Sequence, residues 1–343
     1  MQAGDATQAE LPASHTIDAR RRLLLSALGA LAVAGLVAAE KTSAATLPEG
    51  QMKIVVPYSP GGGTDILARA IAQHMGDVLH RSVIVENRVG ANGVIGAAYV
   101  AKAPPDGLTM LLVPAGYAAN PAMYKSLPYN QAKDLIPLSL LASGPLVLVV
   151  HPSLNVKTVP ELIALAKQRP GEINVGNAGV GSLPHLCAEL FDVTAGVKLV
   201  SVSYKGAGPA LTDVLAGRVP VYFMNILQSF PIVKAGQLVP LGVTTPEPSP
   251  IAPEIPAIAS TVPGFDMTNW YGMLLPAGTP AESVALVNGA LTSVLTQPDL
   301  KQKMYNEGMT VVASSAEQFA QFLARETAKF NRIIEYAGIK GSL

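Results

Sequence analysis

The chain has 343 residues, of which 24 are basic and 24 acidic, so its formal net charge is zero. Neutrality without basic runs excludes a nucleic-acid ligand, whose phosphates are matched by lysine and arginine, and 49% hydrophobic residues exclude a disordered chain. One cysteine excludes a disulfide scaffold or a cysteine-rich metal site, and the length fits two ordinary domains better than one.

The first 45 residues read as a leader. Arg20, Arg21 and Arg22 precede a 17-residue apolar run from Leu23 to Ala39, and Ser43-Ala44-Ala45 supplies the small side chains that a signal peptidase reads. A basic n-region, an apolar h-region and a small-residue exit describe a cleavable export signal, here twin-arginine-like and cut near Ala45. An uncleaved membrane anchor is the alternative. Cleavage would leave a soluble periplasmic protein of 298 residues, still balanced at 20 basic against 20 acidic side chains.

Short apolar runs then alternate with helical patterns. Lys53 to Pro57 reads as a buried strand, Thr64 to Leu79 as an amphipathic helix, Ser82 to Glu86 as a second strand, Val94 to Ala103 as a helix and Leu108 to Val113 as a third strand. Leu146 to Val150 is strongly β-prone. Thr158-Val159-Pro160-Glu161 is a capping box that opens a helix to about Gln168. Further strands are expected at Ile173 to Gly176, Leu199 to Tyr204, Val219 to Phe223 and Pro240 to Thr245, with helices after Ser182 and over Pro209 to Ala216. Thr245 to Pro263 is a proline-rich loop and Trp270 to Leu275 a strand. Thr279-Pro280-Ala281-Glu282 reads as a second capping box, and the last helix runs from Ser314 or Ser315 to about Tyr336. The alternation predicts two α/β units with parallel sheets covered on both faces. Cys187, in an apolar helical context, reads as a small core residue rather than a reactive thiol.

Two glycine loops join strands to helices. Pro57-Tyr58-Ser59-Pro60-Gly61-Gly62-Gly63-Thr64-Asp65 is one, with Thr64 or Asp65 as a cap; Gly176-Asn177-Ala178-Gly179-Val180-Gly181-Ser182 is the other, with Ser182 as a cap. Glycine allows a ligand close to the backbone, and the N–H groups of a helix start form an anion site. Neither loop is a Walker A or dinucleotide motif. Each is equally readable as a bare strand-to-helix turn, but one in each α/β unit suits a cleft between domains.

Catalytic chemistry is missing. His74, His80, His151 and His185 have no metal-ligand spacing, no Gly-x-Ser-x-Gly elbow occurs, and Ser182 and His185, three apart, read as a capping serine and a packed histidine.

Val55 to Asp65, Val85-Glu86-Asn87-Arg88, Ala103-Pro104-Pro105-Asp106-Gly107, Val149-Val150-His151-Pro152, Tyr204-Lys205-Gly206, Pro209 to Asp213 and Pro276 to Pro280 together resemble the tripartite tricarboxylate transporter receptors, also called Bug proteins. The likeness runs in order along the chain after the leader. It implies a periplasmic, type II-like α/β solute-binding protein, with residues 46–144 plus 271–343 as one domain and 145–270 as the other. It also implies a ligand cleft between them, no cofactor and a small carboxylate as ligand. The contacts it implies are Tyr58, Gly61, Gly62, Gly63, Thr64 and Asp65; Pro114, Ala115 and Tyr117; Asn177, Ala178, Gly179, Gly181 and Ser182; and Tyr204, Met224 and Asn225. The chain departs from the family at Pro114-Ala115-Gly116-Tyr117-Ala118-Ala119, where serine and threonine are common, at Leu183-Pro184, and at Pro220 and Met224, where aspartates are frequent. The departures imply a less polar ligand, with one carboxylate at the Ser182 loop and an aromatic or alkyl body against Tyr117 and Met224. A monomer that delivers to a membrane transporter is expected. A receptor feeding a sensor kinase is the alternative, and a periplasmic hydrolase the remote one.

Overall fold

The computed structural model describes residues 47–343 except Gly62 and Glu307; the export signal expected over residues 1–45 lies outside the described residues. From the amino end come β1 (Met52–Val56), α1 (Gly63–Leu79), β2 (Val83–Asn87), α2 (Val94–Ala101), β3 (Thr109–Pro114) and the single turn α3 (Asn120–Met123). Next are β4 (Leu135–Val150), α4 (Val159–Gln168), β5 (Asn174–Asn177), α5 (Leu183–Ala195), β6 (Val200–Ser203), α6 (Ala207–Leu215), β7 (Val221–Asn225), α7 (Ile226–Lys234) and β8 (Val239–Val243). The chain closes with β9 (Thr268–Pro276), α8 (Ala281–Leu295), α9 (Pro298–Asn306), β10 (Thr310–Val311) and α10 (Ala316–Tyr336).

The strands are apolar on both faces because both faces are covered. In β1, Ile54 and Val56 enter a cluster with Leu67, Ile71 and Met75 of α1 and Leu291 of α8, while Val55 enters a second cluster with Ala97 of α2 and Phe319 and Phe330 of α10. Strand β3 alternates in the same way, with Met110 and Leu112 on one side and Leu111 and Val113 on the other. Each such fully buried aliphatic side chain contributes about 1.5–3 kcal/mol. Cys187 is fully buried in the core, as expected.

The expected parallel sheets are in fact mixed. Pairs β1–β2, β1–β3, β5–β6 and β5–β7 are parallel, but β9 runs antiparallel to β3 and to β4. The cause is β4, a 16-residue strand that starts at Leu135, before the apolar run at Leu146. Its residues up to Pro145 pair with β9, and from Leu146 it pairs with β7 and β8. One strand therefore belongs to two sheets. Beyond the handover its faces split again, Val147 and Val149 toward Val214 of α6, and Leu148 and Val150 toward Leu186 and Phe191 of α5.

The helix starts separate real caps from apparent ones. Ser315 and Gln318 form a full capping box at α10. At α4 the Thr158 hydroxyl accepts from Glu161 N–H, but the Glu161 carboxylate turns to Lys157 N–H. The box expected at Thr279 does not form: Pro280 occupies the cap position and the Thr279 hydroxyl donates to Pro276 O. No described helix is long and apolar enough to cross a membrane.

Candidate functional site

The loops that leave β1, β2, β3 and β5 build the candidate site. In the β1 loop, Asp65 is the anchor. It is 2% exposed, and its carboxylate accepts from Gly61 N–H at 3.0 Å, from Arg69 Nε at 2.9 Å and Nη2 at 3.1 Å, and from Asn87 Nδ2 at 2.9 Å. The Arg69 guanidinium is the main reason its pKa falls to about 2. Asp65 therefore ties the glycine turn to its own helix rather than acting as an N-cap. Asn87 Nδ2 also donates to Tyr58 O, and Tyr58 Oη donates to Asn92 O. Gly63 sits at a close approach, since an added Cβ would stand 2.7 Å from Tyr271 Oη. Thr64 is buried in the first turn of α1, and Gly62 lies outside the described residues.

The β5 loop is held by its own side chains. Fully buried Asn177 accepts from Gly179 N–H at 2.9 Å and donates to Ser201 Oγ at 2.9 Å. Ser182 N–H donates to Gly179 O, and Gly181 N–H donates to His185 Nδ1. Gly181 sits at φ 79°, a region that favours glycine. Ser182 occupies the cap position of α5, but its hydroxyl does not cap the helix; it is buried with no partner in the protein. His185 turns to Gly181, so the arrangement lacks a Ser–His catalytic pair.

Loops distant in sequence meet here. An added Cβ on Gly116 would lie 3.4 Å from Gly181 O, and one on Gly181 would lie 3.5 Å from Asn92 Nδ2. Asn92 and Asn120 form a reciprocal pair: Asn92 Nδ2 donates to Asn120 Oδ1 at 3.0 Å, and Asn120 Nδ2 donates to Asn92 O at 3.3 Å. Sequence reading assigned neither asparagine a role, because only the fold brings the 87–93 and 114–120 segments together.

Pro114 ends β3, Ala115 is buried, and Tyr117 is 1% exposed with its hydroxyl next to that of Tyr129. Burial pushes the Tyr117 phenol well above its ordinary pKa, and pushes that of the neighbouring Tyr129 up to about 12. Ala178 follows Asn177 in the β5 loop. Tyr204 N–H donates to Asn177 O, while its hydroxyl donates to Asp213, which pairs with Arg218. Met224 is 3% exposed and packs with Val147 and Tyr222, in a different core cluster from Tyr117. Asn225 ends β7 opposite Leu146, where its Oδ1 accepts from Gln228 N–H. The Gly116–Gly181 meeting point thus carries Asn92 and, through it, Tyr58, and Tyr204 joins the β5 loop at Asn177, whereas the Met224 side chain is committed to the second sheet's core.

Residues 67–339 match the model of the tripartite tricarboxylate transporter family receptors. The chain is 34% identical over 321 residues to protein BugT of Bordetella pertussis, covering 92% of this chain and 98% of that one. Among solved structures, it is similar to Rpa4515 of R. palustris with adipate, at 36% identity and a TM-score of 0.76, covering 85% of this chain and 99% of that one. It is also similar to MatC of Rhodopseudomonas palustris with bound malate, at 29% identity and a TM-score of 0.72, over 83% of this chain and 98% of that one. PhnD1 of Prochlorococcus marinus, 15% identical with a TM-score of 0.51, covering 82% of this chain and 98% of that one, shares the two-domain fold alone.

Proposed function

The chain belongs to the tripartite tricarboxylate transporter receptor family, and on that premise we propose that it captures a small, weakly polar carboxylate and delivers it to a transporter of that type. The observation that carries this is the buried, unpartnered Ser182 hydroxyl at the start of α5, where the β5 loop meets Gly116 of the β3 loop. A hydroxyl and the free N–H groups of a helix start suit one carboxylate. The residues around it, Pro114 to Ala119 and Leu183-Pro184, bring no charge, which favours an alkyl or aromatic body over a second hydroxyl or an amino group. Positive potential then comes from oriented backbone N–H groups rather than from a field of basic side chains, in keeping with a neutral chain. The adipate seen in one relative has an alkyl body of this kind, although it carries a second carboxylate.

Capture would occur between two domains, residues 46–144 with 271–343 and residues 145–270. In support, β4 changes sheets between Pro145 and Leu146. The β1 loop and the β5 loop then stand on opposite sides of the cleft, which closes over the ligand. Export to the periplasm is part of this proposal, supported by the leader expected over residues 1–45. Calorimetric titration against adipate, longer alkyl acids, aromatic acids, malate and aspartate tests the ligand class. Tighter binding of the apolar-bodied acids is expected; preference for aspartate or malate overturns it.

A further inference from the structure

One turn into α5, below the Ser182 loop, a buried histidine and a half-buried glutamate form a titratable pair that carboxylate capture does not use directly. His185 is 4% exposed. Its Nδ1 accepts from Gly181 N–H at 3.3 Å, and its Nε2 lies 3.5 Å from Glu189 Oε1, four residues on along the same helix face. A ring nitrogen that accepts carries no proton, so the single proton of the neutral ring sits on Nε2 and faces the carboxyl of Glu189. Gly181 precedes the helix, so no helical carbonyl is available to its N–H.

We infer that His185 is a positioning residue for ligand capture: through Gly181 N–H it fixes the 177–182 loop, and Glu189 fixes the ring tautomer that makes this possible. This rests on the loop being the carboxylate's seat, as proposed above. At Gly181 the loop meets Gly116 and Asn92, while Asn177 holds its other end to Ser201 and Tyr204. Gly181 adjoins Ser182, so any movement of Gly181 moves the unpartnered hydroxyl. The other bonds within the turn, Gly179 N–H to Asn177 and Ser182 N–H to Gly179 O, are internal to the loop. The His185 bond ties the loop to the body of the helix.

The arrangement works only with a neutral ring, because an imidazolium would set N–H against N–H. Burial holds the ring's pKa below the ordinary value. On α5 the ionisable groups facing it are Glu189 and, a turn further, Asp192, whose carboxyls burial pushes up, Asp192 to about 7. From α10, Lys329 approaches the helix at Cys187 and is paired with Glu326 and Asp266. Strands β5 and β6 carry no charged side chain, and Tyr222 of β7 lies in the other core cluster.

Nitrogen NMR of the ligand-free chain should show His185 as the Nε2–H tautomer, and His185→Ala should speed exchange of the Gly181 amide about tenfold. An Nδ1–H ring, or unchanged exchange, overturns the inference. With adipate at pH 7.5, His185→Ala should bind three- to tenfold more weakly, on the order of one lost hydrogen bond. His185→Asn, whose Oδ1 can take the place of Nδ1, should restore most of the affinity. As the pH is lowered below the ordinary imidazole range, wild-type affinity should fall more steeply than that of His185→Asn, which keeps only the dependence set by the acid ligand and the carboxyls of Glu189 and Asp192. Equal adipate binding by wild type and a folded His185→Ala, or identical pH profiles for wild type and His185→Asn, overturns it. If the wild type binds none of the carboxylates, the proposed function fails, and the tautomer and exchange measurements alone decide the role of His185.

Discussion

Replacing Asp65 by Asn removes the charge at the centre of the β1 loop while keeping its shape. The carboxylate accepts four hydrogen bonds, from Gly61, Arg69 twice, and Asn87. An amide must turn one N–H toward these donors, so at least one contact becomes repulsive. The native carboxyl titrates at about 2 against an ordinary 3.8, a difference worth about 2.5 kcal/mol at 1.4 kcal/mol per unit. The Arg69 side chain is 55% exposed, so solvent screens its share and about 2.5 kcal/mol is an upper figure. A depressed native pKa stabilises the folded chain above the unfolded value. The contribution is complete above about pH 5 and fades as the pH falls through 4 toward 2. Urea unfolding of wild type and Asp65→Asn in parallel should show a gap of about 1–2 kcal/mol at pH 7, shrinking by more than half at pH 2.5. A gap that stays constant with pH would refute the reasoning, because the charge would then not be its source; so would a gap under about 0.3 kcal/mol at pH 7.

Three further outcomes follow from single contacts. Ser182→Ala deletes a hydroxyl without a protein partner, so the melting temperature should move by less than about 2 °C while adipate affinity falls about tenfold; an unchanged affinity in titration calorimetry removes Ser182 from the site. Asn177→Ala strands Gly179 N–H and Ser201 Oγ and should lower stability by about 1–3 kcal/mol in denaturant titration, together with ligand affinity. Gly272→Ala places a Cβ 2.1 Å from Phe319 Cζ and should cost about 3 kcal/mol or more; a second change, Phe319→Leu, should recover part of the loss in the same unfolding assay.

The fold was legible in proportion to how local its causes are. The start of α10 near Ser314 or Ser315 and the apolar strand at 53–57 depend on residues within a turn or two of each other. The expected box at Thr279 failed because its hydroxyl found Pro276 O three residues back, a contact that competes with capping and leaves no separate mark in the sequence. The start of β4 was missed because residues 135–145 mix proline, serine and glycine with leucine. Pairing with β9 and, at Ala142 and Ser143, with β10 holds them extended. Of the site, the two glycine loops were readable from composition and from the family likeness. The Asn92–Asn120 pair was not, since neither asparagine differs by itself from an ordinary loop residue.

By itself the sequence determined the local conformations and the class of fold. Hydrophobic period, helix starts and glycine turns act over a few residues, and the burial of both strand faces follows from their composition. Only the tertiary structure decided that β4 serves two sheets, that β9 returns antiparallel beside β3, and that Gly116, Gly181 and Asn92 share one place. Their partners lie from 24 to more than 130 residues apart. Which of many apolar or polar candidates meets which is set by the packing of the whole core, not by any signal within a segment.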